Sequence, residues 1–169
     1  LLAALLVASV AAWYKPQRRY TRDHVTTLVY VTAALSLVII LTGALVRGSG
    51  ATLACADWPL CNGELLPLQQ GQLQTVHMMH RLAVAGLGVT LLMLVWYVWR
   101  TREDRTARLL VASAFGLYLT QALVGALFVW TEAAPVWGAA HVGLAAATWS
   151  LLVMLCVVEA INNRTMMLE

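Results

Sequence analysis

The stretch VHMMHRLAVAGLGVTLLMLVWYVW, residues 76–99, decides the fold of this chain. From residue 82 to residue 99 it contains no Asp, Glu, Lys or Arg, and its length suits a helix that crosses a hydrocarbon core of roughly 30 Å. Uncharged stretches of similar or greater length occupy residues 25–46, 109–130 and 133–158. Polar and apolar residues do not alternate with period two, which argues against a membrane barrel. The sequence therefore predicts an all-α membrane protein with a four-helix transmembrane bundle.

The composition supports this prediction. Hydrophobic residues make up 61% of the 169 residues and charged residues only 11%, which is too apolar for an ordinary soluble domain. The net charge of +3 does not indicate a nucleic-acid partner, because the basic residues lie in the connections between spans. They precede the first span and separate the second from the third: Lys15, Arg18, Arg19, Arg22, Arg100, Arg102, Arg105 and Arg108. The positive-inside rule places these two connections in the cytoplasm and the other two outside.

The predicted organisation has four parts. Residues 1–13 are apolar but too short to span, so we expect a partial helix that ends a preceding membrane segment. A signal peptide is the less favoured interpretation, because the basic residues follow the apolar run. Residues 14–24 form a basic cytoplasmic linker, residues 25–159 the membrane domain with an outer loop at 47–76, and residues 160–169 a cytoplasmic tail.

Two histidines, His80 and His141, lie just inside the outer ends of the second and fourth spans. Ionisable side chains inside membrane helices are costly and usually functional. The two spans run in the same direction, so both imidazoles are expected at similar depth, facing each other across the bundle. This arrangement suits the two axial positions of a haem iron. Arg47 and Arg81, at span ends on the same side, are candidates to pair with haem propionates.

Other interpretations of the histidines stay open. Each histidine, taken alone, fits a polar residue at a helix interface equally well. Gln121 in the third span fits an interhelical hydrogen-bonding residue better than a catalytic one. Zinc would need a third and a fourth ligand, and few carboxylates are near. A proton path would need acidic residues along the spans, and the sequence has no such chain.

An internal repeat favours a paired role for the histidines. Residues 42–46, TGALV, resemble residues 120–124, TQALV. Both histidines are followed, at the same offset of eleven residues, by a similar apolar tetrapeptide that contains Met. The bundle is therefore predicted to consist of two related hairpins.

The outer loop carries Cys55 and Cys61 on either side of Trp58 and Pro59. The predicted topology exposes this loop to an oxidising compartment, so a disulfide is the favoured interpretation. A metal site built on the two thiols and a redox-active pair are the less favoured alternatives. Cys156, in the last span, is interpreted as a packed thiol.

The motifs together resemble a known family. GALVRGSGATLACADWPLCNG at 43–63, VHMMHRLA at 76–83 and AAHVGLA at 139–145 are similar to haem A synthases, and the resemblance covers roughly residues 25–158. Members have eight spans in two similar four-helix halves and oxidise a methyl group of haem O to the formyl group of haem A. One half handles the substrate haem and the other holds a haem b cofactor. The resemblance implies that His80 and His141 are the axial ligands, that Cys55 and Cys61 form a disulfide, and that residues 1–13 end a preceding half.

One residue departs from the family pattern. The substrate half typically has a glutamate three residues before its first histidine ligand, and this chain has His77 there. The resemblance therefore implies the half that holds haem b and relays electrons. His77 is the catalytic candidate, since it can take a proton although it cannot supply the same negative charge.

The resemblance also sets expectations for partners and location. The expected partners are membrane lipid, a second four-helix half or a second copy of the chain, haem O synthase and an electron donor. The expected location is a bacterial or archaeal plasma membrane. The alternatives are a non-catalytic bis-histidine membrane cytochrome, for which the cysteine loop has no evident use, and a structural subunit without haem.

Overall fold

The computed structural model describes residues 2–16 and 21–164. They form five α-helices: α1 (Leu2–Trp13), α2 (His24–Gly48), α3 (Gln72–Thr101), α4 (Arg105–Trp130) and α5 (Pro135–Arg164). Helices α2 to α5 are long and apolar enough to cross a membrane, and α1 is a shorter apolar helix. No strand runs through the described ranges. The predicted all-α fold with four spans and a short apolar N-terminal helix is confirmed.

Every helix boundary except the end of α4 differs from the predicted span, and three of the differences move residues of the predicted linker, outer loop and tail into helices. α2 begins at His24 because the carboxylate of Asp23 caps it, accepting a hydrogen bond from the Thr26 amide at 2.9 Å. α3 begins at Gln72, inside the predicted outer loop, and α5 continues to Arg164, inside the predicted tail. Hydropathy marks only the segment that faces lipid, whereas a helix continues until its backbone bonding is interrupted. The remaining tail residues 165–169, and linker residues 17–20, lie outside the described residues.

The four spans form an up-and-down bundle in which α2 contacts α3, α3 contacts α4, α4 contacts α5, and α5 returns to α2. α1 packs against α5. We call the end of the bundle that carries residues 49–71 the loop end, and the end that carries residues 102–104 the basic end. The histidines belong to the loop end. The fully buried apolar core lies beyond them, toward the basic end, and includes Leu91, Leu94, Val98, Val111, Leu152 and Leu155.

A buried ion cluster joins three spans at the basic end. Arg102, directly after α3, is 2% exposed and donates to the carboxylate of Asp23 at 2.8 and 2.9 Å. It also donates to the carboxylate of Glu159 at 3.0 and 3.1 Å, and Glu159 lies on α5 and is fully buried. The hydrogen bonds from Arg102 hold the pKa of Asp23 well below its usual range. Burial alone would lower the pKa of Arg102, but its hydrogen bonds to the two carboxylates raise it.

Candidate functional site

His80 lies on α3, about two turns from its start, and packs against α2. A Cβ atom added to Gly43 would lie 3.2 Å from His80 Cε1, so the missing side chain gives the ring its room. His80 Nδ1 is 2.9 Å from the Thr42 hydroxyl oxygen, and this hydroxyl donates to the Ile39 carbonyl at 2.8 Å. Since the hydroxyl proton is already used, Thr42 accepts from His80. Nδ1 therefore carries the ring proton, and Nε2 keeps its lone pair.

His141 is held in the same way by the other hairpin. It lies on α5, and a Cβ atom added to Gly125 of α4 would lie 3.0 Å from its Cε1. His141 Nδ1 is 3.1 Å from the backbone carbonyl oxygen of Gln121. A carbonyl can only accept, so Nδ1 is again protonated and Nε2 again has its lone pair. The side chain of Gln121 was the predicted interhelical group, but the contact with the site comes from its backbone.

The two histidines have matched surroundings. Each of the two rings is partly buried. Neither Nε2 atom has a hydrogen bond to the described residues. A ring nitrogen that donates to a carbonyl or hydroxyl is the usual support of a metal-binding histidine, because it fixes the tautomer and raises the basicity of the other nitrogen. The pair therefore offers two unprotonated nitrogens from two parallel helices.

The chemistry of this donor set fits haem. Among the described residues, no group of three or more His, Cys, Asp or Glu could hold a metal ion. A zinc ion would normally take at least three protein ligands. A haem iron takes four ligands from its porphyrin and needs only the two axial nitrogens that His80 and His141 can supply.

The structure corrects the register of the predicted repeat. The predicted alignment paired Thr42 with Thr120, but Thr120 is exposed and donates to the backbone of its own helix at 3.0 Å. The residues with equivalent contacts are Gly43 and Gly125, each followed by Ala-Leu and each facing a histidine. The true register is shifted by four residues, about one helical turn. A shift of one turn leaves the apolar pattern almost unchanged, which is why the pattern did not reveal it.

The two predicted propionate partners have different surroundings. The guanidinium of Arg81 donates to the backbone carbonyls of Asp57 at 2.7 Å, Cys55 at 3.3 Å and Leu60. It therefore holds the cysteine loop against α3. Arg47 is exposed at the end of α2, lines a surface pocket of about 450 Å³, and has no side-chain hydrogen bond to the described residues. Binding of propionate by either residue stays a prediction.

Cys55 and Cys61 are joined as a disulfide in the structure, and both are fully buried. They pack with Met78 of α3, and their sulfurs lie 3.7 and 3.9 Å from the Gln74 carbonyl oxygen. Within the loop, the Asp57 carboxylate accepts from the Gly63 amide at 2.8 Å, and this bond lowers the pKa of Asp57. The loop is thus a small ordered cap on the first turns of α3. Cys156 is a free, partly buried thiol.

His77, the predicted catalytic candidate, is buried one turn before His80. It is 6% exposed and lies against the backbone of Ala51. Its Nδ1 is buried and has no hydrogen-bond partner within the described ranges. Buried polar atoms are normally paired, so His77 has a hydrogen-bonding position that the described residues do not fill.

Sequence reasoning missed Thr42, Gly125 and the backbone of Gln121 as parts of the site. Threonine and glycine are common in membrane helices, and neither stands out in an apolar stretch. The only available signal was the Gly-Ala-Leu triplet that occurs in both spans.

The comparisons with known proteins concern the family of the chain. The family model described as cytochrome oxidase assembly protein matches residues 26–75, which cover α2, the cysteine loop and the start of α3. Haem A synthase of Symbiobacterium thermophilum is 35% identical over 130 residues, which are 77% of this chain and 42% of that protein. Haem A synthase of Bacillus mycoides is 35% identical over 149 residues, 81% of this chain and 45% of that protein.

The chain spans less than half the length of these curated relatives. The matches nevertheless cover most of the chain, and the family model includes the segment that carries Thr42, Gly43 and both loop cysteines. The motifs, the four apolar spans and the relatives lead to one assignment: the chain belongs to the haem A synthase family.

Proposed function

We propose that this chain serves haem A biosynthesis by holding a haem between His80 and His141. The observation that carries the proposal is the matched support of the two rings, each protonated at Nδ1 and each free at Nε2. Bound haem would supply the redox chemistry, which protein side chains cannot provide. That the haem is haem b rests on the family and on His77, which stands where the substrate half carries a glutamate.

The protein's own contribution is position and protonation state. Thr42 and the Gln121 carbonyl fix the tautomers of the two rings, and Gly43 and Gly125 let the rings approach the facing helices closely. The packed apolar core toward the basic end excludes water from one side of the pair. Such preorganisation keeps both ligands in place before the cofactor arrives.

The arginines have separate proposed roles at the loop end. The guanidinium of Arg47 has no hydrogen bond to the described residues, so Arg47 is the better candidate to bind a propionate. The guanidinium of Arg81 already donates hydrogen bonds to three backbone carbonyls of the cysteine loop, so we propose that Arg81 holds that loop over α3.

The full reaction is proposed for the longer protein that the relatives represent. In that protein, the methyl group of haem O would be oxidised in a second four-helix half, and this half would relay electrons through haem b. The proposed partners are that second half or a second copy of this chain, haem O synthase and an electron donor. The proposed orientation puts the cysteine loop outside and the basic connections in the cytoplasm, as the positive-inside rule requires.

The first test is the absorption spectrum of the purified protein, oxidised and reduced, with identification of the extracted haem. We expect a low-spin spectrum and haem b, with the spectrum lost in the His80→Ala and His141→Ala variants. His24→Ala is the matched control, because His24 is an exposed histidine at the opposite end of α2. A colourless protein from cells that make haem, or a spectrum that survives both substitutions, would refute the proposed site.

The second test separates holding haem from converting it. His77→Ala should leave the spectrum intact, because His77 is not one of the two supported ligands. In membranes that contain the complete two-half protein, the same substitution should leave haem A production largely intact. Abolished production with normal haem content would instead place His77 in the chemistry. Bound haem b without any conversion of haem O by the complete protein would favour the cytochrome alternative.

A further inference from the structure

A groove at the basic end lies apart from the histidine pair. It has a volume of about 390 Å³, and it runs from the last turn of α3 to the first turns of α4. Its lining consists of Trp99, Glu103, Arg105, Arg108, Leu109 and Ala112. Nothing in the proposed haem function uses these residues.

The groove lies at the level where the spans meet the lipid headgroups. Trp96 and Trp99 are more than half exposed in the last turns of α3, and Arg100 stacks over the Trp96 ring at 4.4 Å. Exposed tryptophans beside arginines at a helix end mark the membrane interface. A ligand of this groove would therefore sit among the headgroups of the leaflet at the basic end.

The charged part of the groove is arranged for an anion. The guanidinium of Arg108 is fixed by bonds to the carbonyls of Arg102 at 2.7 Å and Trp99 at 3.2 Å, and it lies 5.5 Å from the Trp99 ring centroid. Arg105 is exposed and has no side-chain hydrogen bond to the described residues. Glu103 also lines the groove, so two cations face one carboxylate there and the local charge is positive.

The rest of the groove is apolar. Leu109 is 56% exposed and Trp99 is 53% exposed, and Ala112, one turn further along α4, leaves space beside them. The groove thus combines a cationic mouth at the headgroup level with an apolar wall that continues toward the bilayer interior. A phospholipid has this distribution of charge and apolar surface, whereas a free phosphate ion would use only the mouth.

We infer that this groove binds an anionic phospholipid, with the phosphate at Arg105 and Arg108 and an acyl chain along Trp99, Leu109 and Ala112. Basic pockets between membrane helices are suited to anionic headgroups, and guanidinium groups are suited to phosphate oxygens. The inference does not depend on the haem proposal, and the haem spectrum should be the same in every variant below.

The test is native mass spectrometry of the whole chain in detergent, titrated with phosphatidylglycerol or with phosphatidylcholine of identical acyl chains. We expect preferential retention of phosphatidylglycerol. Arg105→Gln should weaken that binding by about fivefold, the effect of removing one basic residue near an anionic lipid. Arg100→Gln is the matched control, because Arg100 occupies the same membrane level but does not line the groove. Equal losses in the two variants would indicate general surface charge and overturn the site.

A second pair of variants tests the apolar wall without changing charge. Ala112→Phe should fill the groove and weaken phosphatidylglycerol binding, whereas Ser113→Phe, at the neighbouring exposed position outside the lining, should not. Equal affinity for the two lipids in the unmodified protein would refute the inference. Displacement of the lipid by inorganic phosphate at equal concentration would also refute it, because it would reveal a site for phosphate alone.

Discussion

Replacing Thr42 with valine tests whether the hydroxyl behind His80 is part of the haem site. In threonine, the hydroxyl oxygen lies 2.9 Å from His80 Nδ1. Valine keeps the branched shape of threonine but cannot accept a hydrogen bond from this nitrogen. The backbone of α2 should not change, because within the described part of the chain the hydroxyl bonds only to the ring and to the Ile39 carbonyl. The substitution therefore removes the partner of one ring nitrogen and little else.

The expected effect follows from the hydrogen bond that is lost. A hydrogen bond of this kind contributes about 1 kcal/mol, and losing the partner of a metal-binding histidine typically lowers affinity by about 10–100-fold. We expect haem to bind Thr42→Val about tenfold more weakly. We also expect the reduction potential of the bound haem to rise, because a less basic imidazole stabilises the oxidised iron less.

The assay is haem titration of the purified protein followed by spectroelectrochemistry. Thr120→Val is the control, since Thr120 is an exposed threonine whose hydroxyl bonds only to the Gly116 carbonyl of its own helix. If Thr42→Val and Thr120→Val bind haem equally well and at the same potential, the hydroxyl does not support His80. The tautomer argument for that ring would then be wrong.

Three further predictions concern the opposite hairpin and the ion cluster. Gly125→Ala should weaken haem binding, because the added Cβ would lie 3.0 Å from His141 Cε1. Gly116→Ala on the same helix places its Cβ in open space and should leave haem binding unchanged. Haem titration of both variants tests this difference. Arg102→Met should lower the free energy of unfolding by about 3–5 kcal/mol, measured by denaturation in detergent, because a fully buried carboxylate loses its cation. Asp23 has a lowered pKa in the folded state, so its contribution to stability is present above the unfolded carboxyl pKa of about 3.9 and is lost as the pH falls below that value. In Asp23→Asn, the free energy of unfolding should therefore fall less steeply as the pH is lowered through this range.

The sequence predicted the spans and the histidine pair because both depend on composition along one helix. An uncharged stretch of sufficient length is a membrane helix whatever its neighbours are, and His80 and His141 stand out against that background. The ring supports depend on how two helices face each other. Thr42 and Gly125 acquire their roles only through the rotation of α2 and α4, which the apolar pattern does not fix to within one turn.

Arg102 shows a second limit of the sequence. By its position in the sequence, it is one of several basic residues in a connection that is predicted to be cytoplasmic. In the structure it is almost fully buried between Asp23 and Glu159, so it is not the solvated charge that the count assumes. The positive-inside rule predicted which side of the membrane the connection faces. It could not predict the buried cluster, because the three partners come from distant parts of the chain.

That separation in sequence bears on how the protein is made. Arg102 follows its partner Asp23 by 79 residues, and Glu159 emerges from the ribosome 57 residues after Arg102. The first hairpin can therefore pair Asp23 with Arg102 while α5 is still being synthesised, and Glu159 meets Arg102 when α5 packs into the bundle. Docking of the last helix and burial of its carboxylate are then one event, so a chain that stalls before α5 cannot close the basic end. The complete cluster therefore requires the fourth span.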